Sequence, residues 1–189
     1  KYGEYLGVEV EHYIISSGLK EMIEGTVLGK RGVFKRIYAS SFLFNKEGLA
    51  TWPAQAINYT NKTQFLYRIE KGVLDLDDHG VNDHYEPGEE RVPFTNMIYI
   101  GDGITDVPCM EIVKNAGGHA IAIMSTNKEV TKKLESDKRV QFIVKPDYRE
   151  DSKIDKMVKK VIDLIEDQSY LDFYDKLKSC SKGYASMDY

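Results

Sequence analysis

Cysteine is scarce in this 189-residue chain, which has two, Cys109 and Cys180. So distant a pair makes neither a metal-ligand spacing nor a disulfide framework, and a reducing cytoplasm is the expected setting. Long apolar runs are missing as well. No stretch approaches the roughly 18 apolar residues of a membrane span, and no basic segment followed by an apolar one opens the chain, so a soluble, unsecreted protein is expected. There is no surplus of basic charge either: 26 Lys and Arg stand against 30 Asp and Glu, for a net charge of -4. With its lysines scattered among acids, such a surface is unsuited to neutralising nucleic-acid phosphates. Any phosphate handled here is expected on a small substrate. An initiator methionine is lacking too, since the chain opens on Lys1, which points to a trimmed or partial polypeptide.

What is present reads as alternating strands and helices. Val8 to Ile15 is β-branched and apolar, followed by a tight turn at Ser16-Ser17-Gly18 and a helix over Leu19–Glu24. A β-hairpin is expected from Ile37–Phe44 and Leu49–Trp52, with Asn45-Lys46-Glu47-Gly48 as its turn. Thr60 is placed to cap a helix running from Lys62 through Ile69, which buries Phe65, Leu66 and Ile69 and stops at Gly72. The segment from Asp75 to Pro93 is polar and irregular. Strands follow at Met97–Ile100, Ala120–Met124 and Val140–Val144, with helices over Val107–Lys114, Asn127–Leu134 and Ile154–Ile165. Several strands are apolar throughout, as in a parallel sheet covered on both faces. The expected fold is a doubly wound, Rossmann-like α/β core with a mostly parallel sheet, plus the small hairpin. It occupies residues 1–178, and 179–189 form a tail.

In a doubly wound sheet ligands bind beyond the carboxyl ends of the strands, so polar residues just after apolar strands are the first candidates. Ser16, with the amides of Ser17 and Gly18, stands where it could grip a phosphate oxygen at a helix start, or simply cap that helix. Lys62 opens a helix, where a cation is mildly unfavourable for the dipole; it either faces a phosphate or is a solvated surface residue. Asp102 and Asp106 lie on a glycine-rich turn directly after a buried strand and can converge on a hard cation such as Mg²⁺. Gly101 and Gly103 are expected to give that turn its backbone freedom.

Together these positions resemble the second, third and fourth motifs of the haloacid dehalogenase (HAD) superfamily: a serine after a strand, a lysine opening a helix, and the acidic turn Gly101-Asp102-Gly103-Ile104-Thr105-Asp106. The aromatic hairpin looks like that of phosphoserine-phosphatase-like members. The resemblance implies a magnesium-dependent phosphatase acting on a small phosphorylated metabolite through an aspartyl-phosphate. Ser16, Lys62 and Asp102 would be its catalytic residues, with phosphate held by Ser16, Ser17, Gly18 and Lys62, and Mg²⁺ by Asp102 and Asp106. The family's first motif, two aspartates separated by one residue on the opening strand, has no match before Ser16. The nucleophile and a cap are therefore expected on a preceding segment, and the chain alone is expected to be inactive.

Asp75-Leu76-Asp77 has the right letters for that motif but follows no apolar strand, which rules it out. The run from Asp75 to Glu86 has acids at calcium-loop positions, yet His79 stands where an oxygen ligand is wanted and Pro87 blocks the exit helix. Cys109 reads as a small buried residue without a catalytic role. The rival reading is a nucleophile-less HAD-like module that binds without turnover.

Overall fold

The computed structural model describes residues 2–124 and 139–180. The chain divides into two compact units, one of residues 11–144 and one combining residues 1–10 with 145–189. The expected helix over Asn127–Leu134 falls outside the described residues.

In the larger unit, β1 (Tyr13–Leu19) pairs in parallel with β2 (Arg36–Phe44), and β2 turns back antiparallel into β3 (Ala50–Gln55). Two short helices, α2 (Lys20–Glu24) and α3 (Val27–Lys30), make the crossover between β1 and β2. A second sheet is parallel throughout, in the order β4 (Ile98–Gly101), β5 (His119–Ile123), β6 (Phe142–Val144). The expectation of an α/β fold with parallel strands is thus met, but not that of one doubly wound sheet. The fold is mixed α/β, but its described strands form two three-stranded sheets. Among the described residues β1 pairs only with β2, and β4 only with β5.

Helix α4 (Thr63–Lys71) buries Phe65, Leu66 and Ile69, and α5 (Val107–Asn115) buries Cys109, Met110 and Val113. These two helices share one core cluster with residues from both sheets: Tyr13 and Ile15 of β1, Tyr38 of β2 and Tyr99 of β4. The ring of Tyr38 stacks on that of Phe65. Burying such apolar faces is what makes α4 a helix in this setting, since a helix of nine residues is too short to be stable alone. A second cluster packs Val107 and Met110 of α5 on Ala120 and Ala122 of β5.

Several boundaries differ from the sequence reading. Val8–Ile15 is not a strand throughout: β1 begins at Tyr13, because ladder pairing starts only where Tyr13 meets Arg36, and it continues through Ser16, Ser17 and Gly18. The expected turn is an irregularity in the ladder between Ser16 and Leu19. Neither Ser16 nor Thr60 caps a helix. The N-cap of α2 is Leu19 and that of α4 is Lys62, both without a side-chain cap. Gly72 does end α4, in the left-handed conformation with φ of 75° that favours glycine. The hairpin is present where expected, its turn closed by the Asn45 side chain accepting from the amides of Glu47 and Leu49. Its outer part is solvent-exposed rather than core, with Trp52 at 70%.

In the smaller unit, α1 (Tyr2–Tyr5) is joined to α6 (Lys153–Cys180) by a 2.7 Å hydrogen bond from the Tyr2 hydroxyl to Asp163 Oδ1. Ile154, Val161 and Ile162 are buried, as the amphipathic pattern requires. The helix takes in Ser179 and Cys180, so it runs past the expected start of the tail. No helix among the described residues is long and apolar enough to cross a membrane.

Candidate active site

Strand β4 ends at Gly101, and the chain turns through Asp102 and Gly103 into a short 3-10 turn (Ile104–Asp106) that leads straight into α5. The turn is held by Asp106, whose Oδ2 accepts the Gly103 amide at 3.1 Å. Its Oδ1 accepts from two donors brought from elsewhere: Lys62 Nζ at 2.7 Å and the Tyr99 hydroxyl at 2.8 Å. Lys62 Nζ also lies 3.5 Å from Thr105 Oγ1. Both members of the ion pair are buried, Lys62 at 4% and Asp106 at 7% exposure. A charge so placed needs a partner, and each supplies the other's.

The glycines act differently from the expectation. Neither Gly101 nor Gly103 has a positive φ, so backbone freedom is not what the turn uses. Gly101 provides room: a Cβ there would lie 2.7 Å from Asp106 Cβ and 2.8 Å from Met110 Cε. The carboxylate of Asp106 folds back over the bare end of β4.

Burial, reinforced by the negative charge of Asp106, pushes the Tyr99 phenol well above its usual pKa. It stays protonated and donates. Cys109, fully buried beneath, has its thiol pushed up by burial as well, which suits a packing residue and not a nucleophile.

The structure therefore brings Lys62 and Asp106 together across 44 positions of sequence. Asp102 sits on the same turn with its side chain exposed. Ser16 is half-buried in the middle of β1, where its Oγ accepts the Gly18 amide at 3.0 Å. That bond occupies one of the N–H groups expected to receive phosphate, and the Ser17 carbonyl accepts from the Ser40 hydroxyl. Among the described residues no hydrogen bond joins Ser16 to Lys62 or Asp106. Tyr99 and Thr105 were not among the candidates. The available signal was a tyrosine in an otherwise aliphatic strand, since a buried phenol must find an acceptor.

Among the described residues no three His, Cys, Asp or Glu side chains group closely enough to hold a metal. Mg²⁺ commonly takes one or two carboxylates and completes its shell with water and substrate oxygens. Asp102 fits as the direct ligand. Asp106, with both oxygens engaged, fits as the residue that holds the turn. No protein-family model matches the chain. Among curated proteins it resembles one from Borreliella burgdorferi, described as an uncharacterized protein, with 25% identity over 163 residues. The match covers 77% of this chain and 55% of that protein, so the chain spans about half the length of its relative.

Proposed function

We propose that this chain carries most of the core of a HAD-type, magnesium-dependent phosphatase that hydrolyses small phosphomonoesters through an aspartyl-phosphate. The observation that carries the reading is the buried Lys62–Asp106 pair at the carboxyl end of a parallel strand, beside the exposed carboxylate of Asp102. A lysine fixed there offers positive charge to an incoming phosphoryl group, and catalysis of phosphoryl transfer depends mainly on such positioning and charge. Bound Mg²⁺, held by Asp102, would supply further positive charge to the phosphate oxygens. Ser16 would donate its hydroxyl to a phosphate oxygen from β1.

The attacking aspartate comes, in this reading, from polypeptide outside these 189 residues. Its strand would lie between β1 and β4 and complete the two sheets into one doubly wound core. The support is that both strands have an unpaired edge among the described residues while sharing one hydrophobic cluster. Unpaired backbone on apolar strands is costly unless something covers it.

The test is a phosphatase assay of the full-length polypeptide and of this chain, on p-nitrophenyl phosphate and a panel of small phosphomonoesters, with Mg²⁺ and with chelator. Turnover by the longer protein only, lost in chelator and in Asp102→Ala, is expected. A folded full-length protein without turnover on any substrate would instead favour a nucleophile-less binding module.

A further inference from the structure

Resting on the phosphatase reading above, we propose that Tyr99 is a positioning residue of this site, whose phenol holds the Asp106 carboxylate, and through it the Lys62 ammonium, in one orientation. Strand β4 is otherwise Ile98, Ile100 and Gly101, and phenylalanine would fill the same space between the two core clusters that Tyr99 joins. Packing alone has no use for the hydroxyl. What the hydroxyl adds is direction. It meets the same Oδ1 as Lys62 Nζ, at 2.8 and 2.7 Å, while the Gly103 amide meets the other oxygen at 3.1 Å. Three donors on two oxygens leave the carboxylate no freedom to rotate about its Cβ–Cγ bond.

That constraint passes to Lys62, a flexible four-carbon chain ending in three donors. Asp106 Oδ1 takes one, and Thr105 Oγ1 lies near a second at 3.5 Å. With those two placed, the remaining N–H of the ammonium has a set direction. Among the described hydrogen bonds Tyr99 touches neither Asp102 nor Ser16, so it acts through Asp106 and not on the substrate.

The experiment is Tyr99→Phe in the full-length protein, read in two ways. Acylation of individual lysines, followed by mass spectrometry, needs no turnover. Steady-state hydrolysis of p-nitrophenyl phosphate does. The expected result is a severalfold faster acylation of Lys62 with other lysines unchanged, and a fall in kcat of about tenfold at nearly constant KM. A folded variant with unchanged Lys62 acylation and unchanged kcat overturns the proposal. So does a uniform rise at all lysines, which marks general loosening. Selective exposure of Lys62 in a protein whose wild type shows no turnover upholds the positioning role and removes the phosphatase reading instead. Should Tyr99→Phe not fold, Tyr99→Met also removes the hydroxyl and fills its space with a flexible apolar chain. Selective acceleration at Lys62 is again expected, and its absence overturns the proposal.

Discussion

Lys62 and Asp106 are so enclosed that neither can be removed alone without leaving a charge in a water-poor site. Lys62→Met is expected to lower stability by about 3–5 kcal/mol, read as a shift of the urea midpoint at constant slope. Adding Asp106→Asn to it should restore part of that loss, since the stranded charge is then gone. Gly101→Ala tests the close approach over β4. The added methyl group must displace Asp106 or Met110, at a cost of about 1–3 kcal/mol, and it should increase Lys62 acylation as well. A normal midpoint with normal acylation would show that β4 has more room than its geometry indicates.

Glu11 makes a different kind of residue-scale prediction. Hydrogen bonds from the Arg91 guanidinium first, then from Tyr13 and Lys35, bring its pKa from 4.5 down to about 2, against the opposing effect of burial. Because the unfolded chain binds that proton more readily, the stabilisation is present above pH 4.5 and fades as the pH falls towards 2. Glu11→Gln should therefore flatten the acid limb of the stability curve between those values while lowering stability at neutral pH. Denaturant melts taken across this range check it.

At the scale of elements, Arg68 organises the segment after α4. Its guanidinium donates to the carbonyls of Asp75, Leu76 and Asp78, at 2.6 to 3.2 Å, and more weakly to Val73. Arg68→Met should cost at least about 2 kcal/mol and strip hydrogen-exchange protection from residues 73–78 ahead of the rest. In contrast, Trp52→Ser on the exposed hairpin should change stability by about 0.5 kcal/mol or less. Strand and helix periodicity made α4, α5, β4, β5 and the hairpin legible, because each has an apolar pattern that burial then enforces. Periodicity could not show where β1 begins, since ladder pairing decides that and pairing depends on residues 36–40. The acidic turn was legible from Asp102 and Asp106. The partner of Asp106 was not, because contact between Lys62 at the start of α4 and the turn after β4 is a property of the packed helices.

For the whole molecule, the edges of β1 and β4 left unpaired among the described residues set the main expectation. Amides on those edges should exchange rapidly in this chain and become protected in a longer polypeptide that supplies the intervening strand. Equal exchange in both would remove the completed-sheet reading while leaving the Lys62–Asp106 geometry intact. The same ion pair bears on the order in which the chain folds. Lys62 sits at the start of α4, where its charge opposes the helix dipole and no side chain caps the free amides. The first turn of α4 gains little until Asp106, 44 residues onward, has docked. It should therefore form late, after the β4 turn is in place, and once formed its amides should open with the whole unit and not fray independently.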